Sequence, residues 1–223
     1  MIGLISSRCC GCGRMTAKAC ALYEYKRSCI CRNCFAALRQ AEHSKRFFGD
    51  YYNDYTYSPF YYDGLFRQIF LSFKFNGNRA FGHILGMAVG EGLKDINELR
   101  GYDAIVPVPL SCERLNERGY NQALIMAGHV SYAIGVPVAE HLKRIKNTPA
   151  QSAAVGTART SNLSGAFVAA PAASGKRLIL FDDIHTTGST LNECMITLKN
   201  AGAAEVCYVT AAYVYHEPQN FIY

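Results

Sequence analysis

Two stretches of this sequence carry residue types at spacings that can do chemistry. The first runs from Leu178 to Thr190, where Asp182 and Asp183 follow an apolar run and Thr186, Thr187, Gly188, Ser189 and Thr190 lead into a helix. A glycine among hydroxyls at a helix start makes an anion site, because backbone amides there lack intrahelical partners and side-chain hydroxyls add donors. A phosphate suits it. Two carboxylates beside a phosphate site accept hydrogen bonds from sugar hydroxyls or balance a magnesium ion. Phosphate, ribose and Mg²⁺ are thus implied together. A strand end whose Asp and Thr residues merely cap the next helix would account for any one of these residues, but poorly for the whole run.

The second stretch is cysteine-rich: seven of the ten cysteines fall between Cys9 and Cys34. Cys9 and Cys12 form one C-x2-C pair, Cys31 and Cys34 another, with eighteen residues between the pairs. That is zinc-ribbon spacing, in which two tight turns each present two thiolates and close a tetrahedron. Such a Zn²⁺ site is structural, and in a segment too small to fold by apolar burial it supplies the folding free energy. Cys10, Cys20 and Cys29 leave other ligand combinations open, since Cys29-Ile30-Cys31 can shift one ligand.

These residues need elements to position them. Leu178 to Phe181 is uniformly apolar and reads as a strand buried on both faces, ending at the two acids. In an open α/β sheet, ligands bind at the carboxyl ends of such strands. The helix after the loop carries Leu191, Cys194, Met195 and Leu198 at helical spacing, with Gly202 as its stop. Ile105 to Pro109 reads as a short buried strand whose polar continuation includes Arg114, Glu117, Arg118, Gly119, Tyr120, Asn121 and Gln122. If both strands share one parallel sheet, Arg114 and Arg118 reach the same edge as Asp182 and can grip a pyrophosphate. A solvated loop before the next helix fits those residues equally. Helices are expected from Leu65 to Phe73 and from Phe81 to Leu93, with Gly77 between them. Lys74, flanked by Phe73 and Phe75, either reaches a phosphate or snorkels. The aromatic-rich residues 47–62, including Tyr51, Tyr52, Tyr55 and Tyr57, read as a half-buried strand or edge hairpin rather than a base-stacking platform. Val206 to Val214 is a further buried strand.

With 223 residues, 50% hydrophobic and 18% charged, the chain has material for one ordinary core and an appendage, which excludes a disordered chain. Residues 1–46 form the expected ribbon and 47–223 the larger domain. Residues 1–50 hold nine Lys or Arg against three acids, so the formal charge of +6 is all N-terminal. A zinc tetrathiolate would lower that excess to roughly +4. The basic ribbon is either a nucleic-acid contact or an ordinary solvated face. Met1 to Ile5 are too few for a signal peptide and no apolar run approaches membrane-spanning length, so no membrane insertion and a cytoplasmic location are expected.

Residues 178–190 resemble the phosphoribosyl-pyrophosphate (PRPP) loop of type I phosphoribosyltransferases. That resemblance implies that Asp182 and Asp183 face the ribose and that Thr186, Thr187, Gly188, Ser189 and Thr190 hold the 5′-phosphate. It also implies an α/β fold, a parallel sheet with flanking helices, beside the small N-terminal ribbon. In the 6-oxopurine enzymes of that family an aspartate stands where Thr186 stands here, so this loop offers no general base. The four cysteines, Arg-Leu-x-x-Arg-Gly-Tyr-Asn-Gln at 114–122, Arg144, Thr148, Gln151, Arg159, Asn162 and Ala166-Phe167 together resemble the ComF family of bacterial phosphoribosyltransferase-fold proteins, associated with competence and DNA uptake. The resemblance implies a PRPP and Mg²⁺ ligand set with Arg114 or Arg118 on the pyrophosphate, and a loop within 146–167 that covers the substrate; Lys74 joins them as a candidate phosphate ligand. Two functions follow: an accessory protein that handles single-stranded DNA through its basic ribbon, or a transferase acting on a non-6-oxopurine acceptor. Residues 153–158 are less charged than the family pattern implies.

Overall fold

The computed structural model describes residues 6–17, 20–38, 40, 56–146 and 163–214. Thr148, Gln151, Arg159, Asn162 and most of the expected covering loop lie outside these residues, as do Tyr51, Tyr52 and Tyr55.

The N-terminal unit is a small mixed sheet of β1 (Ser6–Cys9), β2 (Met15–Ala17), β3 (Ala21–Tyr25) and β4 (Ser28–Cys31), in the order β2-β1-β4-β3, followed by α1 (Arg32–Ala36). The remainder is built on a parallel sheet. Its strands are β5 (Thr56–Tyr57), β6 (Phe60–Tyr61), β7 (Ala104–Pro107), β10 (Arg177–His185) and β11 (Glu205–Tyr213), ordered β5-β11-β10-β7, with β6 also on β11. Helices α2 (Gly64–Phe75), α3 (Arg79–Leu93), α4 (Cys112–Arg118), α5 (Gln122–Ile134) and α6 (Ser189–Asn200) flank it, and β8 (Leu142–Arg144) pairs antiparallel with β9 (Phe167–Ala169). Among the described residues, no helix is long and apolar enough to cross a membrane.

Both sheet faces are covered, which is why its strands read as unbroken apolar runs. Along β10, Ile179 and Phe181 enter the core beneath α2, α3 and α5, whereas Leu178 and Leu180 enter the one beneath α6. The ribbon is not a detached appendage: Cys29, Ile30, Cys34 and Leu38 belong to the same apolar cluster as Phe66, Phe70 and Leu85. Tyr25 stacks on His83 of α3 with ring centroids 3.7 Å apart. Helices α3 and α5 approach closely because Gly86 and Gly90 leave no side chain between them. A Cβ on Gly86 would lie 2.8 Å from the His129 ring and 3.1 Å from the Met126 Cα.

Two expectations are corrected and a third is narrowed. The strand does not stop at Phe181: β10 continues through Asp182 and Asp183 to His185, because β11 keeps pairing with it, Asp182 opposite Thr210 and His185 opposite Tyr213. Residues 112–118 are not a loop but α4, capped by Ser111, whose Oγ accepts from the Arg114 amide, and stopped by Gly119 in the left-handed region. Of the two forms expected for the aromatic stretch, the described part takes the half-buried strand and not the hairpin, since β5 and β6 both lie parallel to β11.

Candidate functional site

The site lies where β10 outruns its neighbour. Pairing with β7 ends at Phe181 opposite Pro107, with a last bond from the Val108 amide to the Phe181 carbonyl. Beyond it, one edge of β10 is open at Asp182 and Asp183 while β11 holds the other. The Asp182 Oδ1 accepts from the Asp183 amide at 2.8 Å and the Asp183 Oδ1 from the Ile184 amide at 2.7 Å, which fixes both carboxylates. The loop that follows curls into α6 through Gly188 at φ 74°, which presents the first amides of the helix. Asp182, Ile184, Thr186, Thr187, Gly188, Ser189 and Thr190 line one small cradle. Thr186 and Thr187 are exposed, and the hydroxyls of Thr187 and Ser189 lie 3.0 Å apart.

Cations face the acids from three other elements. Lys74 at the end of α2 puts its Nζ 3.9 Å from Asp183 Oδ2, while its stem lies near the Phe70 and Phe75 rings, so it both snorkels and reaches the site. Arg118 ends α4 half-buried. Burial pushes its guanidinium down from the usual value, and Asp183 pulls it back up. Arg144 at the end of β8 was absent from the candidate ligands read from sequence, though it belongs to the resembling pattern. Its guanidinium lies over the Phe167 ring, shifted down by burial and by Arg114, with Asp182 opposing. The structure therefore brings Lys74, Arg118 and Arg144 to the acids, with Arg114 beside the two arginines.

Burial, and next the charge of Asp183, hold the Asp182 carboxyl well above the usual carboxylate range. The folded protein then keeps a proton that the unfolded chain has already lost, so this group's stabilising effect is present at low pH and fades as pH rises through the raised value. Asp182→Asn is therefore expected to raise the Tm of the ligand-free protein at pH 7.5 by about 2–4 °C. The gain should vanish near pH 4; an unchanged or lower Tm at pH 7.5 would show that the carboxyl is not destabilised there.

In the ribbon, the thiol sulfurs of Cys9, Cys12, Cys31 and Cys34 all lie within 4.8 Å of one another. Gly11 is required by the knuckle, since a Cβ there would sit 2.8 Å from the Cys34 Sγ. The Cys31 amide donates to the Cys9 Sγ at 3.4 Å. Arg14 donates to Cys12 and draws its thiol down to about 6. Four soft donors at this separation fit a tetrahedral metal ion. Cys29 instead lies fully buried, with its Sγ directed at the Ser7 carbonyl, and Cys20 is exposed and is not one of the four clustered thiols. Arg8, Arg14, Lys26, Arg27 and Arg32 are exposed on the same unit.

A model of the phosphoribosyl transferase domain matches residues 120–219. Competence protein F of Haemophilus influenzae is 35% identical over 133 residues, 58% of this chain and 58% of that protein. Competence protein ComFC of Streptococcus pneumoniae is 29% identical over 149 residues, 66% of this chain and 63% of that protein. The DNA utilization protein YhgH of Salmonella typhi is 32% identical over 105 residues, 47% and 46% of the two chains. This chain thus matches less than two thirds of each relative's length.

Proposed function

We propose, for a chain that belongs to the ComF family and carries a type I phosphoribosyltransferase fold, that it binds PRPP with Mg²⁺ and assists DNA uptake by handling single-stranded DNA in the cytoplasm. The observation that carries the ligand reading is the Asp182–Asp183 pair held beside the 186–190 loop and faced by Lys74, Arg118 and Arg144. In this reading the ribose hydroxyls donate to the two carboxylates, and Lys74 gives up Asp183 in part as they do. The 5′-phosphate takes the amides and hydroxyls of residues 186–190. Arg114 and Arg118, with Arg144, meet the pyrophosphate.

The acids offer hard oxygen donors, and no third acid joins them as a metal cluster among the described residues. Mg²⁺ thus fits as an ion that arrives with the pyrophosphate, whose charge it offsets. Zn²⁺ fits Cys9, Cys12, Cys31 and Cys34 and crosslinks the ribbon. DNA contact is assigned to the exposed arginines and Lys26 of that ribbon. If three to five of them meet phosphates, retention of a single-stranded oligonucleotide should fall with salt on a log–log slope of about −2 to −3.5. Arg8→Glu with Arg27→Glu should flatten it; no salt-dependent retention by the intact protein would overturn the DNA reading.

A transferase reading is supported by the completeness of the loop. There, a nitrogen of the acceptor bonds to the ribose C1, the bond from C1 to pyrophosphate breaks, and the acceptor's proton leaves to solvent, because Thr186 offers no base. Pyrophosphate release with a nucleobase, abolished by Asp183→Asn, separates this reading from a binding role alone.

A further inference from the structure

Gln122 opens α5 and is 1% exposed, yet only half of its amide is used. Its Oε1 accepts from the Arg118 Nη1 at 3.2 Å, and its buried Nε2 has no hydrogen-bond partner. A buried donor left unpaired is costly, so an apolar residue would suit this core position better unless the oxygen is needed. Its neighbour differs. The Asn121 Oδ1 accepts from the amides of Ala123 and Leu124 and its Nδ2 donates to the Val108 carbonyl, so the fold explains it.

What Gln122 holds is otherwise poorly held. Helix α4 has seven residues and buries none of them, so it has no apolar face to fix the direction of Arg118. Helix α5, in contrast, is anchored by Ala123, Met126, Ala127, Val130 and Ile134. The turn between the helices is pinned from below by the Tyr120 hydroxyl donating to the Phe73 carbonyl and by Arg79 Nη2 donating to the Gly119 carbonyl at 2.6 Å. Gln122 is the link from the rigid helix to the guanidinium.

We infer that Gln122 is a positioning residue that aims Arg118 at the pyrophosphate end of the ligand, through the Nη1 to Oε1 bond and without touching the ligand itself. This rests on the PRPP reading above and adds to it a residue on which recognition of one end of the ligand depends. The 5′-phosphate and ribose contacts lie on β10 and the loop before α6, which Gln122 does not support. The two ends of the ligand should therefore respond differently.

The test is calorimetric titration of the zinc-loaded, full chain with two probes, Mg²⁺-PRPP and ribose 5-phosphate, the second lacking the pyrophosphate. Gln122→Met, close in volume, is expected to weaken PRPP binding about tenfold and to leave ribose 5-phosphate within about twofold. Gln122→Asn, which keeps an amide but falls one methylene short of Arg118, should match it and gives a second route if the methionine variant folds poorly. Arg118→Ala should show the same selectivity, and adding Gln122→Met to it should cost nothing more, as for two groups acting as one unit. Equal loss for both probes, no loss, or additive loss in the double variant would overturn the inference. Intact protein that binds ribose 5-phosphate but gains nothing from the pyrophosphate would overturn it alone, whereas binding of neither probe would overturn the ligand reading with it.

Discussion

Replacing both acids, Asp182→Asn with Asp183→Asn, is expected to weaken Mg²⁺-PRPP binding by at least about 100-fold. The two carboxylates are the acceptors proposed for the ribose hydroxyls, and each charge-assisted hydrogen bond contributes about 1.5–3 kcal/mol. The loss should not come from misfolding. Both side chains sit at the open edge of β10, and their bonds to the following amides can be kept by an amide oxygen. The single variants should differ. Asp183 is the partner of Lys74, so Asp183→Asn releases that cation as well as removing an acceptor. Asp182 starts with its carboxyl raised by burial and by Asp183, so hydroxyls donating to its carboxylate should draw it back down. Binding to the intact protein should therefore release protons at a pH between the free and ligand-bound values of this group, visible as a dependence of the heat on buffer, and this release should disappear in Asp182→Asn. A double variant that binds as tightly as the intact protein would show that the ligand does not use the acids.

Stripping the metal is the second large perturbation. Cys9 and Cys34 are buried thiols that neighbour one another, and in Cys34 burial, with its neighbouring thiols, pushes the thiol up. A metal ion resolves that crowding by coordinating thiolates, and structural zinc contributes about 10–16 kcal/mol of apparent binding free energy in small zinc domains. One Zn²⁺ per chain is expected, with four thiols becoming reactive after chelation. Because the ribbon shares its apolar cluster with α2 and α3, its loss should lower the Tm of the whole chain by at least about 5 °C. Hydrogen exchange should rise first in β1 and β4, and Cys34→Ser should reproduce the chelated state. Metal-free protein with unchanged Tm and exchange would show that the four cysteines are not a structural centre.

Much of this arrangement was legible because burial leaves a trace in composition. The uniform run Leu178–Phe181 announced a strand covered on both faces, and the periodicities of Leu65–Phe73, Phe81–Leu93 and Leu191–Leu198 announced the helices that the structure sets at 64–75, 79–93 and 189–200. The two C-x2-C pairs announced their own convergence, since a tight turn leaves thiolates little choice of direction. Other features have no local trace. The extension of β10 through two acids is decided by a partner, β11, whose ladder continues to Tyr213. Helix α4 buries nothing, so it shows no apolar period and rests on the Ser111 cap and the Gly119 stop. The approach of Lys74 to Asp183, and the half-used amide of Gln122, depend on how α2, α4 and α5 meet over the sheet. Sequence patterns do not encode that meeting.

The chemistry gathered at the end of β10 is tested most directly by calorimetric titration of Mg²⁺-PRPP into the zinc-loaded protein, with the double acid variant as control. Saturable micromolar binding to the intact protein, lost in the control, is the expected result. No heat with the intact protein, or equal binding by the control, would contradict a PRPP site there and leave the basic ribbon as the functional surface.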